Sequence, residues 1–242
     1  MSDIATKPPA REIRWRPSYR IIRTIYPPVD LFEDVADPSR WDLLTSAEAK
    51  LNPRVRDEVG DLALVPVHRR VSGPTASLAM APFTHVSRDR PSRFSDGSYG
   101  VWYCGDRWEV ALAETAYHFA RFMRATNEPS GEADYRELVC DIRCHLRDIT
   151  TDPAYRACHD PESWAEGQKL GRSLHSDVEN GILYRCVRWP AGLAAALFWP
   201  DLITLPITQA RQFRYHWDGT RMSRYFVHGP DREWHEWPPV KK

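Results

Sequence analysis

Apolar residues recur every three or four positions after Asp106, which predicts an amphipathic helix. The apolar stripe consists of Trp108, Leu112, Ala116, Phe119 and Met123. Asp106 and Glu109 have the spacing of a capping box, so the helix is predicted to begin there. At roughly 100° per residue, Glu114 lies nearly opposite the stripe. Because that second face also carries Val110, Tyr117, His118 and Arg121, it is predicted to face a cleft rather than open solvent.

Alternation of apolar and polar residues between Glu137 and Ile149 predicts a half-buried strand. One face carries Leu138, Cys140, Ile142, Cys144 and Leu146, and the other carries Val139, Asp141, Arg143, His145 and Arg147. Cys140 and Cys144 therefore belong to the apolar face, where a free cysteine acts as a small hydrophobic residue. Because His145 points the other way, we expect no structural zinc site and no metal cofactor.

Turn-forming residues divide the rest of the chain into further elements. Asp160-Pro161 predicts the start of a helix, with the aspartate as its cap. Asn180-Gly181 predicts a turn into a strand over residues 182–189, ILYRCVRW, which the apolar segment LAAALFW follows. Asp218-Gly219 predicts a two-residue hairpin. Strands before and after two helices, together with hairpin signals, favour an α+β fold over a doubly wound parallel sheet.

The N-terminal region differs from the rest in composition. Residues 1–37 are rich in proline and arginine without a sustained period, which predicts an arm that lies on this chain or on a partner. After Asp37-Pro38, a short amphipathic helix is predicted from the spacing of Trp41, Leu44, Ala47 and Leu51. Near Gly60 a compact region is predicted to begin, where LALVPVHRRV suits a strand interrupted by Pro66. The predicted organisation is an arm and helical lead-in over residues 1–59, followed by one domain over residues 60–242.

Charge and cysteine content narrow the class of protein. The 242 residues include 33 Lys and Arg and 33 Asp and Glu, so no overall basicity favours nucleic-acid binding. The first 23 residues are locally basic, with six Lys or Arg against Asp3 and Glu12. No apolar run approaches the roughly 20 residues of a membrane span, and the N-terminus lacks the apolar core of a secretory signal. Five cysteines suit reduced thiols, so a soluble, cytoplasmic protein is expected.

Three residues suited to dinucleotide chemistry lie between positions 93 and 114. Arg93 precedes a glycine-rich loop, and its planar guanidinium can bind a pyrophosphate. Tyr103 ends a short aromatic strand and can stack on nicotinamide or adenine. Glu114 can stabilise a ribosyl cation or bind a ribose hydroxyl. Each residue alone is more commonly a surface arginine, a core aromatic or a solvated glutamate, so the hypothesis depends on their order and on their spacing of 10 and 11 residues.

Two other functions are compatible with parts of the sequence. Cys104 follows Tyr103, and Cys186 shares a strand face with Tyr184 and Arg188, whose charge would lower a thiol pKa. No cysteine lies in a recognisable hydrolase motif, which counts against a cysteine nucleophile. A nucleic-acid-binding function rests only on the basic arm and the aromatic content.

The segment RFSDGSYGVWYCGDRWEVALAET at residues 93–115, followed by GILYRCVRWPAG at residues 181–192, resembles the RES domain family, named for an arginine, a glutamate and a serine. Upstream, LNPRVRDEVGDLALVPVHRRVSG and MAPFTH are similar to the lead-in of a longer subgroup of that family. The resemblance covers roughly residues 50 to 220.

This resemblance implies a fold and a function. The fold would be a split mixed β-sheet core like that of ADP-ribosyltransferases, with flanking helices. The protein would be the toxin of a bacterial toxin–antitoxin pair and would consume NAD by phosphorolysis, hydrolysis or ADP-ribosyl transfer. Its implied partners are an Xre-type antitoxin, NAD and inorganic phosphate. A homo-oligomer is also expected, and the N-terminal arm is expected to contact the antitoxin or a second protomer.

The resemblance also assigns roles to particular residues. The family's motif residues fall on Arg93, Tyr103 and Glu114, and its serine falls on Cys186. Arg188 takes the place of the arginine after that serine, and Arg70 is a lesser candidate for binding the dinucleotide. Because cysteine is a poorer hydrogen-bond partner than serine, two functions stay open: an NAD-cleaving enzyme, and a weak or inactive protein that binds or regulates.

Overall fold

The computed structural model describes residues 7–25, 37–41, 60–229 and 233–238, which form eight strands and three α-helices. The strands are β1 (Ala10–Arg23), β2 (Trp102–Gly105), β3 (Gly131–Asp148), β4 (Gly181–Arg185), β5 (Leu193–Leu197), β6 (Thr208–Trp217), β7 (Met222–His228) and β8 (Trp234–Glu236). The helices are α1 (Ala76–Thr84), α2 (Trp108–Thr126) and α3 (Ala165–Ser176). None of the helices in these ranges is long and apolar enough to cross a membrane.

The eight strands form one mixed sheet in the order β1-β2-β5-β4-β3-β6-β7-β8. β1 also pairs with β3, from Ala10 opposite Arg147 to Arg23 opposite Tyr135, so five strands close into a ring. β1 and β2 share a single paired position, and β3 and β4 share two, in parallel. These short junctions divide the sheet into β2-β5-β4 and β1-β3-β6-β7-β8. The predicted α+β fold with a mixed sheet is confirmed.

The predicted alternation along β3 is confirmed, and its apolar face forms the centre of the protein. Leu138, Ile142 and Leu146 are almost fully buried, whereas Arg143 and His145 are exposed. The apolar face packs inside the ring against residues of the opposite segment, including Trp102, Leu183 and Leu197. A second cluster joins the apolar stripe of α2 to β6 and β7, and a third joins α3 to β4 and β5. Three apolar clusters therefore hold the sheet and the helices α2 and α3 together.

Residues 10–23 of the predicted N-terminal arm lie on this chain, which is one of the two predicted alternatives, and they do so as a regular strand, β1, that pairs along β3. The pairing with β3 shifts register between Trp15 and Ser18. Pro17 lies at this irregularity, where a missing N–H does not interrupt the ladder, so a proline-containing segment can join the sheet. Residues 1–6 and 26–36, and residues 42–51 of the predicted helix after Asp37, lie outside the described residues. The domain boundary at residue 60 stays a prediction.

Two further predictions are corrected by local hydrogen bonds. LALVPVHRRV is not a strand but two 3-10 turns, Leu62–Leu64 and Val67–Arg69, because the Asp61 carboxylate accepts the N–H of Ala63 and closes the first turn. The helix predicted at Asp160-Pro161 begins later, at Ala165. The Asp160 carboxylate instead accepts the N–H groups of Glu162 and Ser163, which forms a turn before the helix.

Three element boundaries also differ from the prediction. β4 ends at Arg185, so Cys186 lies in the loop that follows it. The hairpin at Asp218-Gly219 is present, but its loop spans the four residues 218–221, since Trp217 pairs with Met222. The α2 helix begins at Trp108, and its cap position is Arg107 rather than the predicted Asp106. The Asp106 Oδ1 instead accepts the N–H of Leu193 at 3.1 Å and so joins the helix start to β5.

Candidate active site

A cavity of about 220 Å³ lies between α2, β1, β2 and the loop that precedes β2. Arg93, Tyr103 and Glu114, which the sequence analysis grouped as a candidate dinucleotide site, all line this cavity. Arg188, from the loop after β4, lines it as well. The structure therefore brings four of the six candidate residues into one pocket, and a fifth, Cys186, contacts it through Glu114.

Glu114 supplies the carboxylate of the cavity wall. It lies on the face of α2 opposite the apolar stripe, and the prediction that this face looks into a cleft is confirmed. Burial raises the pKa of Glu114 above its ordinary value, while a hydrogen bond from Cys186 and the charges of Arg93 and Arg188 act in the opposite direction. The carboxylate is therefore held where water is scarce and cationic groups are close.

Cys186 makes the hydrogen bond that orients Glu114. Its thiol donates to Glu114 Oε1 at 3.2 Å, and its Sγ accepts the backbone N–H of Trp189 at 3.2 Å. Burial and the neighbouring carboxylate raise the pKa of the Cys186 thiol well above its ordinary value. The thiol is therefore protonated at neutral pH and acts as a donor, not as a nucleophile.

Arg93 is held in the wall by the backbone of a neighbouring loop. Its Nη1 donates to the carbonyl oxygens of Cys158 at 3.1 Å and of Asp160 at 2.7 Å. Gly167 and Gly171, one turn apart on α3, lie against the backbone of residues 93 and 94. A Cβ atom at Gly171 would stand 2.1 Å from the Phe94 carbonyl oxygen, so only glycine permits this approach.

Gly171→Ala is expected to displace the Arg93 loop. The added methyl group meets backbone, which cannot turn aside, and overpacking of this kind costs about 1–3 kcal/mol. We expect a lower midpoint of thermal unfolding, since about 1 kcal/mol shifts the midpoint by about 2–4 °C in a protein of this size. The matched control is Gly229→Ala, because a Cβ atom there would meet nothing within 4 Å. Equal behaviour of the two variants would contradict the role given to Gly171.

Tyr103 contributes a ring to the cavity and a hydroxyl group to the loop. The hydroxyl bonds the Ser92 hydroxyl at 2.9 Å and accepts the N–H of Phe94 at 3.0 Å. Burial raises the pKa of Tyr103 to about 12. The phenol therefore stays neutral at physiological pH and fixes the loop that carries Arg93, while its ring lines the space beside Glu114.

The chain is similar to a described protein family. A family model described as the RES domain matches residues 66–218, more than half of the chain. The chain belongs to the RES domain family. An uncharacterized protein of Sinorhizobium fredii, y4oC, is 28% identical to it over 210 residues, which are 86% of this chain and 86% of that protein.

A solved structure shows a weaker similarity to this RES protein. It is the crystal structure of the M. tuberculosis MbcT–MbcA toxin–antitoxin complex, with a TM-score of 0.39 and 17% sequence identity. The similar region covers 50% of this chain and 69% of the other.

Arg188 of the RES protein closes one side of the cavity. Its guanidinium lies 3.4 Å from the ring centroid of Tyr117 and its Nη2 donates to the carbonyl of Pro161. A cation stacked on an aromatic ring keeps its charge while its position is fixed, so Arg188 can act on an anionic ligand without moving.

Arg20 is a cavity residue that the sequence analysis did not single out. Its Nη1 donates to the Tyr103 carbonyl at 3.0 Å and its guanidinium lies over the Trp102 ring. Its buried Nε has no hydrogen-bond partner. Burial lowers the pKa of Arg20 to about 10, so it is still cationic at neutral pH. No local pattern distinguished this arginine from its neighbours, because only the pairing of β1 places it beside the site.

Arg70 does not reach this cavity. Its guanidinium donates to the carbonyl oxygens of Val65 and Leu62, both at 3.0 Å, and to that of Pro38 at 3.4 Å. These bonds tie the two 3-10 turns to the segment at residues 37–41. The prediction that Arg70 binds the dinucleotide is therefore corrected: in this structure its guanidinium holds backbone, because the segment carrying it is not a strand that points into the site.

The remaining thiols of the RES protein give no support to a cysteine nucleophile. Cys104 lines the cavity, but burial raises the pKa of its thiol well above the ordinary value. Cys140 and Cys144 lie in the core on the apolar face of β3, as predicted. A thiol whose pKa is raised is a weak nucleophile at neutral pH.

Proposed function

We propose that this RES protein cleaves the N-glycosidic bond between nicotinamide and ribose in NAD. The observation that carries the proposal is a partly buried carboxylate, Glu114, in one cavity with the guanidinium groups of Arg20, Arg93 and Arg188. A carboxylate can stabilise the ribosyl cation that forms as such a bond breaks. Guanidinium groups match the oxygens of a pyrophosphate. NAD is the substrate in this proposal, and the chemistry needs no metal.

The bond-breaking step needs little acid catalysis. The nicotinamide ring of NAD is cationic, so the electron pair of the broken bond goes to the ring nitrogen and nicotinamide leaves as a neutral molecule. The ribose is left as an oxocarbenium-like centre beside Glu114. An acceptor atom then forms the new bond to that carbon. Water or a protein side chain releases a proton to solvent in this step, whereas a phosphate dianion bonds through an unprotonated oxygen and releases none. Phosphate, water and a protein side chain are the three candidate acceptors.

Aromatic residues complete the proposed site. Tyr103 keeps its hydroxyl on the Ser92–Phe94 loop, so its contribution to the cavity is the ring. A flat ring in this wall suits stacking on nicotinamide. The bound ring would then lie between Tyr103 and the carboxylate that stabilises its ribose.

Membership of the RES family suggests a biological role. We propose that the protein acts in the cytoplasm as the toxin of a toxin–antitoxin pair, neutralised by an Xre-type antitoxin. Self-association of the toxin is proposed on the same ground. Residues 10–23 form a strand of the sheet, and its exposed side chains, such as Arg11, Arg14 and Arg16, are candidates for the proposed contact with an antitoxin or a second protomer.

Turnover of NAD by the purified protein tests the function. The protein is incubated with NAD, with and without inorganic phosphate, and free nicotinamide is followed. Mass spectrometry then separates ADP-ribose, ADP-ribose 1″-phosphate and a modified protein as products. Intact NAD after prolonged incubation would contradict the proposal and favour the binding or regulatory alternative.

The pH profile of Cys186 variants tests whether the thiol supports catalysis. Cys186→Ala removes a donor to Glu114, so the pKa of the carboxylate should rise further above its ordinary value. Since Glu114 must be ionised to act, the acid limb of kcat should move to higher pH. Cys186→Ser supplies a stronger donor and should move the limb to lower pH. If the acid limb of kcat had the same pH dependence in both variants as in the unaltered protein, Cys186 would have no part in the mechanism.

A further inference from the structure

The cavity is smaller than the molecule proposed to bind there. Pockets that enclose most of a drug-sized ligand measure about 300–1,000 Å³, whereas this cavity measures about 220 Å³. Glu114 lies beside the buried Cys186, so the nicotinamide riboside end of NAD must occupy the enclosed part. The adenosine end must then lie at the rim.

Trp164 provides a flat apolar surface at that rim. It is half-buried just before α3, it lines the cavity, and its neighbours Ser163 and Ala165 are exposed. The guanidinium of Arg121 lies 4.7 Å from its ring centroid, which fixes the orientation of the indole. Within the described residues, Trp164 belongs to none of the three apolar core clusters, so core packing does not account for it.

The guanidinium groups of Arg93 and Arg188 connect the acid to the turn that precedes this tryptophan. Arg93 donates to the carbonyl of Asp160, and Arg188 donates to the carbonyl of Pro161. Both carbonyls belong to the turn that leads to Trp164, while the charges of both guanidiniums also act on Glu114. In NAD the pyrophosphate likewise joins the reacting ribose to the adenosine, so the order of groups in the protein matches the order in the ligand.

We propose that Trp164 stacks on the adenine of NAD and makes the enzyme select the dinucleotide over nicotinamide mononucleotide. This inference rests on the NAD-cleaving function proposed above and names a specificity residue for it. An indole offers a large flat face to a purine, and stacking of one base on an aromatic side chain is a substantial part of binding in nucleic-acid sites. Nicotinamide mononucleotide lacks the adenosine and gains nothing from this contact.

Steady-state kinetics with NAD and with nicotinamide mononucleotide test whether Trp164 selects the dinucleotide. Trp164→Ala is expected to lower the ratio of kcat/KM for NAD to kcat/KM for nicotinamide mononucleotide about tenfold, and Trp164→Phe should restore most of that ratio. Trp234→Ala is the matched control, because Trp234 is an exposed tryptophan of β8 that does not line the cavity. An equal loss on both substrates would overturn the proposal, since it would place Trp164 on the nicotinamide half.

Binding of ADP-ribose provides a test that needs no turnover. By calorimetry on the full chain, Trp164→Ala should weaken the Kd for ADP-ribose about tenfold, and Trp234→Ala should leave it unchanged. An unchanged Kd in Trp164→Ala would overturn the adenine site even if the protein cleaves NAD. Weakened binding in a protein that leaves NAD intact would instead support the adenine site and contradict the proposed reaction alone.

Discussion

Glu114→Gln is expected to reduce the rate of NAD cleavage about 10³-fold while the fold is kept. Glutamine has nearly the same shape, and its oxygen can still accept the hydrogen bond from Cys186. What disappears is the negative charge beside the ribose, in a site where little water screens it. The measurements are the initial rate of nicotinamide release and the midpoint of thermal unfolding.

The matched control for this variant is Glu109→Gln on the same helix. Glu109 lies in the first turn of α2 and does not line the cavity, so its neutralisation should change the rate by no more than about twofold. If Glu114→Gln cleaved NAD at a rate near that of the control, the Glu114 carboxylate would have no part in the reaction. A slow but destabilised variant would instead show a lower unfolding midpoint.

Local periodicity was sufficient to predict the elements that form the site. The face of α2 that carries Glu114 followed from the 3.6-residue period, and the buried face of β3 followed from alternation. Both patterns depend on which side of an element meets the core, and sequence spacing records that directly. The meeting of Arg93, Tyr103 and Glu114 in one cavity could be predicted for a similar reason, because a loop, a strand and a helix that follow one another in the chain pack beside one another.

Contacts between distant segments could not be predicted from the sequence. Arg20 reaches the cavity because β1 pairs with β3, more than a hundred residues away along the chain, and because a bulge near Pro17 sets its direction. Arg70 was expected at the site on the assumption of a strand that does not form. Asp106 had the spacing of a cap, yet a backbone N–H from β5 competes for its carboxylate. For Arg20 and Asp106 a tertiary pairing or hydrogen bond decided the outcome, whereas for Arg70 a local turn closed by Asp61 decided it.

These long-range contacts leave the cavity wall with an excess of positive charge. The sequence has no net charge, but the cavity wall holds Arg20, Arg93 and Arg188 around Glu114. Arg93 donates to backbone carbonyls, which fixes its position without neutralising it. Arg188 donates to a backbone carbonyl, and its Nη1 lies 3.9 Å from Oε1 of the exposed Glu162, a weak ion pair that solvent screens. An anionic ligand with two phosphates would balance this excess of positive charge, and Arg20 and Arg188 each have a buried Nε without a hydrogen-bond partner.

Arg20→Met is expected to raise the KM for NAD by about tenfold to a hundredfold. Hydrogen bonds to charged groups contribute about 1.5–3 kcal/mol, and about 1.4 kcal/mol corresponds to a factor of ten. Methionine keeps an unbranched side chain over the Trp102 ring while the charge is lost. Because Arg20 lies away from the bond that breaks in the proposed mechanism, kcat should fall less than KM rises. Arg20→Lys keeps the charge without the planar fork and should give an intermediate KM.

The same strand offers a control for the Arg20 variants. Arg14 is an exposed arginine of β1 that pairs with Glu12 and does not line the cavity, so Arg14→Met should leave the KM for NAD unchanged. Steady-state kinetics at several salt concentrations complete the test, since loss of a phosphate contact should weaken the salt dependence of KM. An unchanged KM in folded Arg20→Met would show that the substrate does not touch Arg20, and the pyrophosphate would then depend on Arg93 and Arg188 alone.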